Sequence, residues 1–286
     1  MRLSLQDLNA ITACPLCKVP MSVSEGQDAT CHGCGETYRW CAGTWDLIPS
    51  SIRRTSILWT SWDQLQANGA VSYEQDPERN LAVGDREDCA LFSRFCGFDG
   101  LVLDVGCGPQ ACPAYFRFRS DRTRFVGIDP LIRASGSQYL QIRALSEFLP
   151  FRDHTFDHVV FATSLDHFIE PVTALREARR VCRTCGEIDI WNGEKREGAP
   201  PTVAGHEWYE RLEKPLSAED VFHLRRLRST DVNVIFAEAG LGLAEEQVRR
   251  VDEYRTNFFY RLRVLEPPRP TRRPPEDPPE TPTLSC

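Results

Sequence analysis

From residue 101 onward the chain alternates between two textures. Short apolar runs, "LVLDV" (101–105), "RFVGIDP" (124–130), "FDHVVFAT" (156–163) and "GEIDIW" (186–191), are bounded by Gly, Pro and Asp, as strands buried on both faces are. Between them, stretches such as "EPVTALREARRVC" (170–182) repeat apolar residues every three or four positions and predict helices. Strands that alternate with helices imply an α/β fold, a Rossmann-like doubly wound and mostly parallel sheet. Further on, "VNVIFAEAG" predicts a helix, and "LAEEQVRRVDEY" and "NFFYRLRVL" predict two strands close enough in sequence to pair antiparallel.

The flanks read differently. Residues 50–99 form a helical lead-in, in which Trp59 and Trp62 and the periodic Leu91, Phe92 and Phe95 are candidate core. A polar run from Tyr73 to Asp88 interrupts it. After Trp191, residues 192–231 make a long excursion, and segments of that length in a compact domain are usually lids or binding loops. The last 20 residues hold 8 prolines and predict an extended tail over 267–286 with no core.

Composition is that of a globular protein, with 41% apolar and 26% charged residues. Polar residues interrupt the N-terminus where an export signal needs an apolar stretch, and no run suits a membrane helix, so the expectation is a cytoplasmic protein. Twelve cysteines then point to metal binding and buried thiols rather than disulfides. Cys14 and Cys17 form one C-x-x-C, Cys31 and Cys34 another, 13 residues further on. Two such knuckles complete a closed tetrahedral site for structural zinc, which defines a small zinc-ribbon domain over 1–49. His32 reads as a solvent-facing bystander and Cys41 as core. Cys182 and Cys185 form a half site, placed in a turn, with no second pair to complete it.

The segment "LVLDVGCGPQ" carries the candidate chemistry. In an open parallel sheet, ligands bind beyond the carboxyl ends of the strands. Gly106 permits a tight turn there, and Gly108 lets backbone approach a ligand closely. The next strand ends in Asp129, 25 residues after Asp104, where a carboxylate can accept both hydroxyls of a ribose. Pro109 follows the second glycine, and no dinucleotide signature continues.

Together with "LPF…FD" (149–157) and "REARRVCRTCGEIDIW" (176–191), these motifs resemble the class I S-adenosylmethionine-dependent methyltransferases over residues 101–191. The two knuckles, with Tyr38, Gly43 and "DLIP" at 46–49, resemble the Trm112-like zinc ribbons that accompany such enzymes. The resemblance implies that Asp104, Gly106 and Gly108 line the methionine end of S-adenosylmethionine, that Asp129 holds its ribose, and that Ser146, Glu147 and Phe148 pass along its adenine. The sequence departs from the family in having Gln110 for a third glycine and Leu145 where an acid commonly faces the adenine amine, with Glu147 near enough to substitute. Tyr73 and Arg79 could close over the cofactor.

For the acceptor, His167 in "TSLDHFIEP" has the basicity of a general base, and His206 and His223 in the excursion are alternatives. Arg225 and Arg226 could hold an anionic group. Three functions follow: methylation of a small molecule such as a sugar or secondary metabolite at oxygen or nitrogen, methylation of RNA through the ribbon, or a non-catalytic assembly role. The net charge of −7, and a ribbon with three basic against five acidic residues, favour the first. The ribbon could meet a second copy of the chain, a protein partner or its own catalytic domain.

Overall fold

The computed structural model describes residues 3–54, 57–78, 86–133, 138–200, 203 and 205–264. The proline-rich tail expected at 267–286 lies outside them.

Near the N-terminus a short helix, α1 (Leu5–Ile11), starts at Ser4, whose hydroxyl accepts the Asp7 backbone N–H while the Asp7 carboxylate accepts that of Ser4. Three antiparallel strands follow: β1 (Ala29–Thr30), β2 (Thr37–Cys41) and β3 (Thr44–Asp46). Ala42 and Gly43 join β2 to β3 with positive φ at both residues, as a two-residue hairpin turn needs. Cys41, expected in the core, is exposed, because alternation along β2 buries Tyr38 and turns position 41 outward.

The main sheet has seven strands: β4 (Leu101–Val105), β5 (Arg124–Ile128), β6 (Leu140–Ile142), β7 (Phe156–Ala162), β8 (Cys182–Lys195), β9 (Leu241–Arg250) and β10 (Arg255–Val264). Their order is β6-β5-β4-β7-β8-β10-β9; the first five are parallel and β10 is antiparallel to both its neighbours, as the sequence predicts. Strand order reverses beside β4, which opens a crevice at the carboxyl ends of β4 and β7.

Helices flank the sheet less regularly than expected. They are α2 (Ile57–Gln75), α3 (Glu87–Cys96), α4 (Pro171–Val181), the single turn α5 (Glu207–Glu210) and α6 (Ser229–Glu238). Among the described residues, only a 3-10 turn, Ala114–Phe118, stands between β4 and β5, and α3 packs against it. Its Tyr115 and Phe116 join Phe92, Phe98 and Phe125 in an aromatic cluster that fills the space of a longer helix. Helix α4 is as predicted, with Pro at its start and Ala174, Leu175, Ala178 and Val181 buried. Cys182 and Cys185 lie not in a turn but at the irregular start of β8, the first buried and the second exposed. The excursion is shorter than 192–231 at both ends, since β8 runs on to Lys195 and α6 begins at Ser229.

The N-terminal segment docks on the edge of the main sheet. Asp46 of β3 bridges Arg143, just beyond edge strand β6; Leu47 N–H donates to Arg143 O (2.8 Å), and Arg143 N–H to Trp45 O (3.0 Å). The Arg143 guanidinium holds the Asp46 carboxylate at 2.6 Å. A second strip joins Ala13 N–H to Pro150 O and Arg152 N–H to Ile11 O, and Lys18 pairs with Glu177 at 2.6 Å. Leu8, Val23, Tyr38 and Trp45 enter the same hydrophobic core as Ile142, Leu149 and Phe151.

Candidate active site

Ligand space opens where the topology places it. A cavity of ≈ 230 Å³ lies at the carboxyl ends of β4, β5 and β7, with α2 over it. Gly106 and Gly108 both have positive φ, 79° and 67°. The N–H groups of Gly106 and Cys107 donate to Ile128 O, which turns the loop back on β5. A Cβ at Gly106 would stand 2.5 Å from that of Ser164, and one at Gly108 would strike the Tyr73 hydroxyl. Gly108→Ala is therefore expected to weaken S-adenosylhomocysteine binding at least tenfold by calorimetry, through strain and displacement of Tyr73. Gly97, at φ 59° with open space around it, supplies the control: Gly97→Ala should lower stability and leave affinity unchanged.

Asp129 anchors this cradle. Its carboxylate accepts the Gly108 N–H (2.9 Å) on one oxygen and the Leu131 N–H (2.7 Å) on the other. Burial pushes the carboxyl up to about 6, against the pull of those two N–H groups. Each oxygen keeps a lone pair for a further donor.

Asp104 differs from expectation. It is fully buried beneath the loop and does not line the cavity; the Tyr115 hydroxyl lies 2.9 and 2.8 Å from its two oxygens. Burial raises its pKa to about 8, although the Tyr115 bond opposes this. A carboxyl with a raised folded pKa destabilises the fold increasingly as pH climbs from its unfolded value towards 8. Tyr115→Phe removes the donor and is expected to cost about 2 kcal/mol near pH 8 and less at pH 6, by denaturant unfolding. An equal loss at both pH values would separate Tyr115 from the ionisation of Asp104.

Of the residues expected along the adenine, Ser146 lines the cavity, beside Leu131 and Leu145. Glu147 lines it too, but one of its oxygens accepts the N–H groups of Ile169 (3.0 Å) and Glu170 (3.2 Å) and the other the Ser146 hydroxyl. Glu147 thus ties down the start of α4, a role that proximity to Leu145 does not reveal. Phe148 turns away from the cavity to pack with Trp62, Leu65 and Leu145. The Tyr73 hydroxyl stands beside Gly108 and Tyr73 lines the cavity, and Arg79 lies outside the described residues.

His167, Phe168 and Phe222 also line the cavity. His167 is half-buried; burial and the neighbouring His223 lower its basicity. The two rings lie 4.2 Å apart, and His223 itself is buried behind His167 rather than lining the cavity. His206 is exposed at the start of α5, away from the cavity, and its candidacy falls. Asp220, which the sequence reading passed over, accepts a hydrogen bond from His223 (2.8 Å) and pairs with Arg226 (2.8 Å). Its spacing of three from His223 was the available signal.

The excursion is fastened to α2 above the site. Asn68 donates to the carbonyls of Glu213 (2.8 Å) and Val221 (2.7 Å), and Ser217 meets Ser61 at 2.7 Å. The Trp62 indole N–H donates to His167 O (2.9 Å), and Arg225 donates to Ile169 O (2.9 Å). Trp62 is therefore part of the site as well as of the core.

At the far side, the sulfurs of Cys14, Cys17, Cys31 and Cys34 lie within 4.8 Å of one another, with Cys14–Cys34 at 3.7 Å and Cys17–Cys31 at 3.4 Å. Tetrahedral zinc with bonds near 2.3 Å separates its sulfurs by about 3.8 Å, so the donor set fits. The Tyr38 hydroxyl (3.2 Å) and the Gly33 N–H (3.3 Å) reach Cys14 and Cys31, the outer hydrogen bonds a thiolate site needs.

Comparison with known proteins agrees with this geometry. Residues 103–189 match a family model described as a methyltransferase domain. The structure of Burkholderia thailandensis 1,6-didemethyltoxoflavin-N1-methyltransferase, with 1,6-didemethyltoxoflavin and S-adenosylhomocysteine bound, is similar at 14% identity, over 85% of this chain and 99% of that one, with a TM-score of 0.52. The (4+2)-cyclase SpnF is similar at 17% identity, over 72% of this chain and 97% of that one, with a TM-score of 0.50. At these identities the two structures show a shared fold. The search of curated proteins returned no match. The matched domain makes this an enzyme of the methyltransferase class. Among the described residues, no helix is long and apolar enough to cross a membrane.

Proposed function

We propose that the chain methylates a small molecule at oxygen or nitrogen, within a catalytic domain over 50–266 that follows a zinc ribbon over 1–49. One observation carries this reading: Trp62, His167 and Phe222 line an enclosed part of the cavity wall beneath a fastened excursion, which suits a compact acceptor. Arg225 and Arg226, read from the sequence as able to hold an anionic group of the acceptor, are engaged within the chain, Arg225 with Ile169 O and Arg226 with Asp220. The similar structure from Burkholderia thailandensis, with 1,6-didemethyltoxoflavin bound, supports the same direction.

In this reading the Gly106–Gly108 loop receives the methionine end of S-adenosylmethionine, Asp129 the ribose, and Leu131, Leu145 and Ser146 the adenine. The cofactor supplies an activated methyl group, so the protein's work is positioning. His167 meets the acceptor, Trp62 fixes the His167 backbone, and the excursion excludes water. Zinc, held by Cys14, Cys17, Cys31 and Cys34, is structural, since four thiolates leave no open position.

The test is to incubate the protein with methyl-labelled S-adenosylmethionine and an extract of its own cells. Label in the small-molecule fraction is the expected result. Label in RNA would overturn it.

A further inference from the structure

Two clusters of imidazole and carboxylate groups stand apart from the cysteines: His158 with Glu187 and Asp189, and Asp166 with His167 and His223. The first already surrounds a cation, because Arg261 lies 2.9 Å from Glu187 and 3.1 Å from Asp189. The second does not close on one in the same way. Asp166 Oδ1 is 3.8 Å from His167 Nε2, and its Oδ2 is 3.6 Å from His223 Nε2.

The protons can be placed. Phe222 O, 3.2 Å from His167 Nδ1, can only accept, so that nitrogen carries hydrogen. His223 Nδ1 faces the Asp220 carboxylate at 2.8 Å and carries hydrogen for the same reason. With both rings neutral, each Nε2 then presents a lone pair towards Asp166. Three lone-pair donors converge, and each imidazole is oriented from behind by an oxygen, the outer arrangement of histidine metal ligands. The Arg226 guanidinium, 3.8 Å from Asp166 Oδ2, is drawn back towards Asp220, leaving one negative charge in excess among these groups.

We propose that Asp166, His167 and His223 bind a divalent first-row transition metal beside the cavity that His167 lines. Two imidazoles and one carboxylate suit such ions and leave coordination positions open. Tetrahedral donors at about 2.1 Å lie roughly 3.4 Å apart, so the two carboxylate–imidazole separations need to contract by a few tenths of an ångström. His167 joins this centre to the cavity, where an open position can take an acceptor oxygen and favour its deprotonated form. That last role rests on the small-molecule reading; the metal site does not.

The experiment titrates the zinc-loaded full chain with Co²⁺, by calorimetry and visible absorption. Expected is one further equivalent with weak metal-centred bands and no thiolate-to-cobalt charge transfer. His223→Ala and Asp166→Asn should each weaken it at least tenfold. Asp220→Asn, at a residue that positions His223 and draws Arg226 back from Asp166, should weaken it about 10–100-fold, and His206→Ala not at all. The proposal is overturned by the absence of a further equivalent, by thiolate bands that place cobalt in the ribbon, or by binding indifferent to the first two variants. Wild-type stoichiometry decides even where a variant misfolds. S-adenosylhomocysteine affinity, measured on the same samples, separates a failure of the methyltransferase reading from a failure of the metal site.

Discussion

Asp129→Ala is expected to lower the affinity for S-adenosylhomocysteine by at least about 100-fold while leaving the chain folded. Two hydrogen bonds from ribose hydroxyls to a carboxylate contribute about 1.5–3 kcal/mol each. The same carboxylate also holds the N–H groups of Gly108 and Leu131, so its removal loosens the loop that receives the methionine end. Asp129→Asn keeps one acceptor and should lie between, about tenfold weaker. Because burial raises the Asp129 pKa to about 6, the ionised form that accepts both hydroxyls is lost as pH falls through that value. Affinity should therefore be flat above pH 7 and decline below 6, and Asp129→Asn should abolish the decline. Calorimetry across pH 5–8 checks both points; wild-type affinity in the alanine variant would remove the ribose assignment.

Cys14→Ser should release the ribbon's zinc and lower the unfolding temperature by about 10 °C or more. Cys14 is fully buried, and the Tyr38 hydroxyl reaches its sulfur. A structural zinc site contributes on the order of 10 kcal/mol to the segment it folds, and part of that is felt by any core the segment shares. Here Tyr38 and Trp45 share the core of Ile142 and Phe151, so the loss reaches the sheet. At roughly 2–4 °C per kcal/mol for a domain of this size, only about 3–5 kcal/mol need be transmitted. Cys41→Ser, at an exposed thiol outside the cluster, should change neither zinc content nor unfolding. Metal analysis and thermal unfolding of the two variants give the answer, and undiminished zinc in Cys14→Ser would defeat the four-cysteine reading.

What the sequence discloses here follows from how local each signal is. Strands β4, β5, β7 and β8 are buried on both faces, so an unbroken apolar run marks them. Edge strand β6 is only "LQI" and gives no such run. Gly106, Gly108 and Asp129 announce themselves because a tight turn and a strand-end acid constrain residue type directly. Asp104 has the same signature, yet it points beneath the loop to Tyr115, a partner carried on a 3-10 turn with no local mark in the sequence. Glu147 and Phe148 follow one another on another such turn; one reaches the backbone of α4 and the other packs beside Trp62, a division set by tertiary contacts alone. His206 and His223 look alike in the excursion. Only the fastening of that segment to α2 buries the second and exposes the first.

The docking of β3 beside β6 has a temporal consequence. Asp46 and Arg143, which join the two, are 97 residues apart. At about 5–20 residues per second, the ribosome finishes the ribbon some 5–20 seconds before it makes the strand on which the ribbon rests. Through that interval Tyr38 and Trp45 lack the core they will share, and the segment must keep its shape from within. Zinc on the four cysteines, as proposed above, would fasten the segment locally during synthesis, so that the sheet's edge, when it emerges, would meet a surface already formed.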